Sequence, residues 1–598
     1  MWTTTNDRCA RRLTCHDPGL IASTEQLASR TAASGAVAVT DRDPYPLRGR
    51  ALTGRALTAA AGLAAALPVI ASTIKGLGEG MTPTGDRAII ATRAYDVLSS
   101  HTPLVGQYSA STVLYKHIVH SLGPTLYWLI ALPARFGSAS TPDVVMAAVN
   151  VLAIMATVAL ARRRGGIALM LLTAGALVLM CNSFSPQTLH DIWNPSAGLL
   201  LFTLLLFVSW SLACGEYRLL PAGVVLASFT AQCELVFLLP SVGVLAVGIL
   251  GLLTHARGRA KAWPWWTVAL IAGLACWSAP IVDELTNHPG NLTLAAEAAF
   301  SHGRTLGLTA GWRAVVHAIG IPPWWLQSPS NPFGRAGDVR SPVSALATIS
   351  CVAFLCGLLL AGVVGLRRRR RDVPAAALIG LVLCLSLAAV TSSNPTRPSL
   401  IPSLGYTLWF GSAAGMWVWL TLGWSVATLS GARLRWPARD RPAYEGPSRA
   451  RAIMARAPAA GVMLGLLATL AVGTAVALGE GPDQDSDEYK PVKTVNAAVE
   501  RALTPADRAV LVTGAHDFTA FDFRAAVVYD LRRRGIRVFD PAASVRLGSW
   551  YEPAGHKVDA TVYVYDEKRP PMHGRVIERI SYGAHPRKTI TVMVQSTR

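Results

Sequence analysis

The sequence predicts an all-α polytopic membrane protein of about eleven transmembrane helices, with a small extracytoplasmic α/β domain at its C-terminal end. Of its 598 residues 52% are hydrophobic and only 15% are charged, more apolar surface than one soluble core requires. Apolar runs of membrane-crossing length recur between residues 57 and 478, each near the ~20 residues a spanning helix needs. Beyond residue 479 the pattern changes to short alternating runs around one amphipathic stretch, the signature of strands and a packed helix.

The formal charge of +20 excludes little until its distribution is considered. Basic residues cluster at 162–164, 256–261, 367–371 and 432–456, each beside an apolar run. That is the positive-inside pattern, and it argues for lipid rather than nucleic acid as the partner.

Residues 1–55 mix Arg, Thr, Ser and Asp without periodicity and predict a disordered basic cytoplasmic tail. The transmembrane domain then runs over 56–479. Its expected spans are Leu57–Ile74, Val144–Ala161, Ile167–Cys181, Ala197–Ala213, Leu219–Ala231, Leu235–Leu253, Trp265–Val282, Val343–Leu366, Ala375–Val390, Leu404–Thr428 and Ala459–Leu478. The first lacks a small-residue cleavage site and predicts a retained anchor. With the tail inside, alternation puts every Arg block on the cytoplasmic face of a cell membrane. Leu122–Phe136 is apolar but short and Pro-bounded, which predicts an interfacial helix on the outer face.

Residues 480–598 form the expected outer domain. "RAVLVTG", "IRVF", "ATVYVYD" and "KTITVMVQ" predict strands, and "FDFRAAVVYDLRRRG" an amphipathic helix. The nine cysteines form no CxxC pair, so neither a disulfide framework nor a zinc site is expected. There is no internal repeat, Gly-rich phosphate loop or nucleotide fingerprint.

Chemistry concentrates in the outer loops. "TPTGDRAIIATRAYDVLSSHTPLVGQYS" follows the first span and is more polar than a connector requires. On a helix Asp86, Ile90 and Arg93 share a face, because offsets of four and seven residues return to nearly the same angle, whereas Asp96 lies about 80° away. The bland alternative is that Asp86 caps a short helix while Arg93 and Asp96 are solvated. Lys116, His117 and His120 follow in the same loop.

"HDIWNP" puts His190 and Asp191 at the mouth of a span, where Asn194–Pro195 fits a helix start. The pair is a candidate for holding a divalent cation or a phosphate, although two ligands do not define a metal site. Gln232 and Glu234 sit between two short apolar runs, and an acid at that depth is costly enough to need a reason. Asp283 and Glu284 close a span; they are candidate catalytic partners, with solvated acids at a membrane boundary the expected reading. Trp324 and Trp325 follow two prolines; interfacial anchoring is the expected role and stacking on a sugar the alternative.

"GDRAIIATRAYDVLSSHTPLVGQYS", "GPTLYWLIALPARFG", "QTLHDIWNPSAGLLL", "WSAPIVDELTNHPGNLTLA", "IPPWWL" and "YTLWFGSAAGMWVWL" occur in that order between residues 55 and 425. As an ordered series they resemble GT-C-type polyprenyl-phosphate-dependent glycosyltransferases of actinobacterial membranes, relatives of the protein mannosyltransferase and aminoarabinose transferase superfamily. The resemblance implies inverting transfer of a sugar from a polyprenyl-phosphate donor to a cell-envelope glycan, lipid or protein acceptor outside the cytoplasm. It implies Asp86 as general base. It places Arg93, Asp96, Lys116, His120, His190, Asp191, Gln232, Glu234, Trp324 and Trp325 around donor or acceptor, with a divalent cation as an optional cofactor. Two positions depart from the family pattern: Glu234 stands where a histidine is expected, and "VHSLGPT" replaces an "HPGP" turn. A carboxylate at Glu234 would repel a phosphate. The competing functions are a transporter or flippase of lipid-linked glycan, and a catalytically silent scaffold; the gathering of acids in loops rather than mid-span favours the enzyme.

Overall fold

The computed structural model describes residues 45–113, 115, 117–254, 256–300, 303–328, 335–429, 449–515, 517–566, 574–583 and 587–597. The predicted tail therefore lies outside the described residues up to position 44, as does Lys116. Residues 1–55 and 56–598 are separate units, and 56–598 pack as one body.

The apolar runs fold as helices because lipid offers their backbone groups no other partner. The long helices are α1 (Tyr45–Glu79), α2 (Gly85–Asp96), α3 (Thr125–Phe136), α4 (Thr141–Cys181), α5 (Leu199–Ala213), α6 (Leu220–Cys233), α7 (Leu238–Leu253) and α8 (Ala256–Thr286). They continue with α9 (Gly307–Ile319), α10 (Ala345–Arg367), α11 (Asp372–Ser393), α12 (Phe410–Leu429) and α13 (Arg449–Gly479). Among the described residues eight helical stretches are long and apolar enough to cross a membrane, and the chain is a multi-pass membrane protein. One of the eight, α4, joins two expected spans: Gly165 and Gly166 leave helical geometry, with Gly166 at φ +68, a conformation glycine adopts freely. The short α6 spans only about 21 Å at 1.5 Å per residue. It turns at Glu234, which is extended at φ −150, into the 3-10 turn that leads to α7.

Pairwise contacts fix the direction of the helices. A Cβ at Gly62 would touch Met155, Gly473 approaches Ala64, and Gly465 approaches Leu171; Lys75 Nζ donates to the Glu480 carbonyl at 2.6 Å. Thus α1, α13 and the second half of α4 run in parallel and the first half of α4 runs against them. The arginines after residue 161 therefore lie at one end of the bundle, and the loops carrying Asp86 and His190 at the other. The block at 432–456 lies mostly outside the described residues.

α3 buries Leu126, Tyr127, Ile130 and Ala134 against α2 and its surroundings while Leu132 and Phe136 stay exposed. Beyond α13 come α14 (Ser486–Ala502), β1 (Ala509–Gly514), α15 (Phe518–Arg533), β2 (Arg537–Phe539), the single turn α16 (Ser544–Leu547), β3 (Ala560–Tyr565), β4 (Arg575–Tyr582) and β5 (Lys588–Ser596). The sheet order is β2-β1-β3-β5-β4; β1 is parallel to β2 and β3, and β5 is antiparallel to β3 and β4. Four strands and the helix fall where alternation places them. β4 and α14 do not follow from the pattern: β4 is an edge strand with a register shift between Val576 and Glu578, and edge strands carry charge that masks alternation. α15 packs its buried face on α2, so that Ile89, Ile90, Val527 and Val528 share one apolar cluster.

Candidate functional site at the junction of bundle and outer domain

The site is built on α2. Thr84 precedes it in extended geometry, and Gly85 opens it at φ +48; a Cβ there would run into the Asp522 carboxylate of α15. Asp86 sits in the first turn, where a negative charge complements the helix dipole. Its side chain is 36% exposed and accepts a charged hydrogen bond from Arg546 Nη1 at 2.5 Å. Gln107 Nε2 donates to the same oxygen at 3.3 Å, and Tyr127 donates to Gln107 Oε1 at 3.3 Å. Gln107 is positioned by a short hairpin in which Ser121 N bonds the Gln107 carbonyl at 2.7 Å and Ser109 N the Val119 carbonyl at 2.8 Å.

The segment Val545–Leu547 covers this face. Arg93 is buried, lies over the Tyr127 ring at 5.9 Å and donates to the Leu547 carbonyl. His120 Nε2 meets the Val545 carbonyl at 3.2 Å. Burial and the Arg93 charge push His120 down to about 4, so it is neutral at pH 7 and acts as a hydrogen-bonding group rather than a cation. The Arg546 guanidinium lies 4.8 Å from the Tyr108 centroid and 4.7 Å from that of Phe521, geometry that keeps it oriented.

Glu234 lies within electrostatic reach of Asp86, and the Tyr406 hydroxyl feels both. Asn194 Nδ2 donates to Glu234 Oε2 at 2.5 Å and to the Cys233 carbonyl at 3.1 Å. Gln232 spans from the Cys276 carbonyl, 2.8 Å, to Thr125 N, 3.4 Å, and lies against Gly123. It thereby holds the Gly123–Pro124 turn that starts α3.

No protein-family model matches this chain, and no curated protein matches it. Among solved structures it is similar to the archaeal oligosaccharyltransferase AglB from Archaeoglobus fulgidus, in complex with an inhibitory peptide and a dolichol-phosphate, at 12% identity and a TM-score of 0.31, over 84% of this chain and 69% of that chain.

Other predicted residues fall into separate networks. Asp96 is fully buried: Arg532 Nη2 donates to its Oδ1 at 2.7 Å, His101 Nε2 lies 3.1 Å from the same oxygen, and Tyr551 donates to Oδ2 at 2.6 Å. Burial opposes its ionisation, but the hydrogen bond with His101, the Arg532 charge and Tyr551 outweigh it and hold the group below the ordinary carboxylate range. Asp191 accepts from Arg87 Nη2 at 2.7 Å, and Arg87 also reaches Asp485 at 2.6 Å. Buried His190 meets Asp483 at 3.1 Å, and Tyr489 donates to Asp483 at 2.9 Å. Among the described residues no group of three or more His, Cys, Asp or Glu side chains is set to hold a metal ion.

Trp324 and Trp325 are 2% and 6% exposed, inside the bundle rather than at its lipid boundary. Trp324 donates to Asp338 at 2.8 Å and stacks on His317, and Trp325 packs edge-on against Trp419. For Trp324 the Asp338 acceptor is what allows the indole N–H to leave the interface. Asp283 accepts from Asn291 N at 2.8 Å, and Glu284 from Leu292 N at 3.0 Å. These two acids cap the helix at Asn291–Phe300 and are not free carboxylates.

Arg546, Gln107 and Tyr127 complete the site without a sequence signal of their own. Gln107 and Tyr127 lie inside the motifs quoted above, but only the hairpin and the α2–α3 packing bring them to Asp86.

Proposed function

We propose that this protein is a membrane glycosyltransferase of the GT-C type that moves a sugar from a polyprenyl-phosphate donor to a cell-envelope acceptor on the extracytoplasmic side. The observation that carries the reading is a part-exposed carboxylate, Asp86, on the helix after the first span, paired with Arg546 and followed two turns later on the same helix by Arg93. In the reaction the acceptor hydroxyl oxygen attacks the anomeric carbon from the face opposite the phosphate. Its proton passes to Asp86, and the carbon–oxygen bond to phosphate breaks with its electron pair on the leaving polyprenyl phosphate, so the configuration inverts. Arg93 and Arg546 are the charged donors for the leaving phosphate, Gln107 orients the Asp86 carboxylate, and neutral His120 supplies a hydrogen bond. Lys116 remains an additional donor candidate from the same loop. Glu234 and Tyr406 are assigned to the sugar hydroxyls, where a carboxylate is an acceptor rather than a source of repulsion. A divalent cation is an optional addition at His190 and Asp191. With the arginine-rich end inside, the N-terminus is cytoplasmic and the site opens at the outer leaflet of the plasma membrane, after about eleven crossings.

The test is transfer of radiolabel from a panel of polyprenyl-phosphate sugars in membranes carrying the wild-type chain or Asp86→Asn. Loss of transfer by two orders of magnitude or more is expected, with thermal stability unchanged because a part-exposed pair contributes about 0–1 kcal/mol. Full turnover in the variant, or leaflet movement of labelled lipid with no new glycosidic bond, overturns the proposal.

A further inference from the structure

A polar, widely open cavity of about 460 Å³ lies at the end of the bundle remote from Asp86. Arg163 and Arg164 reach it from the reversal in α4; Arg369, Arg370 and Arg371 reach it from the turn between α10 and α11, together with Asp372. Two carboxylates answer these five guanidiniums. Glu216 pairs with Arg164 and stands 3.8 Å from Arg163, and Asp372 takes Arg370 through bonds of 2.9 and 2.7 Å. Among the described residues Arg369 and Arg371 meet no acid. An excess of fixed positive charge in a concave site raises the local concentration of anions.

The backbone adds an independent observation. Arg369 has φ +56 and is the only non-glycine with positive φ among the described residues. It ends α10 in a Schellman arrangement: Arg369 N bonds the Leu366 carbonyl at 3.0 Å and Arg370 N the Gly365 carbonyl at 2.9 Å. Glycine is the usual residue there, because a Cβ in the left-handed region is strained. The chain holds an arginine where the turn would favour glycine, and that side chain lines the cavity. Leading to this turn, Leu359, Val363 and Leu366 are 55%, 48% and 67% exposed. Their spacing of four and three residues puts them on one helix face, an apolar track suited to an acyl chain.

We propose that this cavity binds a phosphate-ester anion, gripped by Arg369 and Arg371 and closed on the far side by Arg163. Guanidinium forks match phosphate oxygens pairwise. The same chemistry is offered by the headgroup of an anionic phospholipid in the adjoining leaflet and by free phosphate. The site is independent of the Asp86 reading.

The experiment uses the full-length chain, purified in non-ionic detergent and analysed by native mass spectrometry. Phosphatidylglycerol, phosphatidylcholine or inorganic phosphate is added to the wild type, Arg369→Gly, and the double variant Arg369→Gly/Arg371→Ala. Arg369→Gly removes the guanidinium while easing the turn, so a loss of binding in it is not a loss of folding; a thermal melt confirms this. Phosphatidylglycerol is expected to be retained over phosphatidylcholine, and the double variant to lose roughly tenfold or more of that preference. If inorganic phosphate binds the wild type and displaces the lipid, free phosphate is the source; if only the lipid binds, the headgroup is. Equal retention by wild type and a folded double variant, or no anion bound by the wild type, overturns the proposal.

Discussion

Replacing Asp96 with alanine tests how the outer domain is held on the bundle, and the structure sets the size of the effect. Asp96 is fully buried and engages Arg532, His101 and Tyr551 together. Arg532 itself lies between the Tyr95 and Tyr551 rings, 5.4 and 5.9 Å from their centroids. Removing the carboxylate leaves that guanidinium buried without its counter-charge, a loss of about 3–5 kcal/mol. The unfolding equilibrium followed by chemical denaturation in detergent then shifts on the order of 10²–10⁴-fold toward the opened form. Arg532→Met combined with Asp96→Ala costs far less than the two singly, since the second substitution removes the stranded charge. The pH dependence has a defined sign. The folded carboxyl lies below its ordinary value, so its contribution is complete above the unfolded pKa of about 3.9 and fades as pH falls through the lower folded value. The carboxyl's own titration therefore adds no slope to the Asp96→Ala penalty between pH 5 and 8, and any slope there belongs to its partner His101. A penalty under about 1 kcal/mol, the range of an exposed pair, or strict additivity with Arg532→Met, refutes the reasoning.

Asp522 is pushed up to about 8 by burial and then by Glu488, Asp485 and Asp86. The folded state thus holds a proton that the unfolded chain releases near pH 4, and stability declines between those values; Asp522→Asn should flatten the melting temperature against pH and exceed the wild type above pH 8. Gly85→Ala forces φ +48 on a residue with a Cβ and should cost roughly 1–2 kcal/mol in a thermal melt while displacing Asp86, so transfer falls with it. Arg546→Ala removes a partner that is 26% exposed; stability should change by no more than about 1 kcal/mol, whereas transfer kinetics should change in KM and kcat together, and unaltered kinetics would take Arg546 out of the site.

The sequence is most informative where a period repeats. Lipid-facing helices are legible because apolar residues run for about 20 positions, and the doubled glycine at 165–166 marks a reversal inside what is otherwise one 41-residue helix. The 3.6-residue period places Asp86 and Arg93 on one face and Asp96 on another, and in the structure the first two meet residues 546–547 while Asp96 meets Arg532 and Tyr551. The identities of those partners are not legible. Arg546 is 460 positions from Asp86, and nothing in "SVRLG" distinguishes it from a surface arginine. β4 escapes for a different reason: Glu578 and Arg579 interrupt its alternation at an edge that tolerates charge. Trp324 and Trp325 mislead because an indole beside two prolines near a span end looks interfacial until its packing is known: Trp324 donates to Asp338, and Trp325 is enclosed against Trp419.

The outer domain is attached to the site by contacts of unequal strength, and the inequality bears on how Asp86 could work. Asp96 with Arg532 and Tyr551 is buried and expensive to part. Arg546 with Asp86 is partly exposed on both sides and contributes about 0–1 kcal/mol, although its 2.5 Å geometry is close. A carboxylate that is to take a proton from an acceptor hydroxyl must first exchange its guanidinium partner for that hydroxyl. In the proposed reaction that exchange would need only the Arg546 side chain to turn toward a developing phosphate charge, away from Asp86 and still between Tyr108 and Phe521. The domain would stay latched through Asp96 in the proposed reaction, and the same Arg546 rotation that freed the base would bring a cation to the leaving group. Were the strong pair at Asp86 and the weak one at Asp96, entry of substrate would demand undocking of the whole domain.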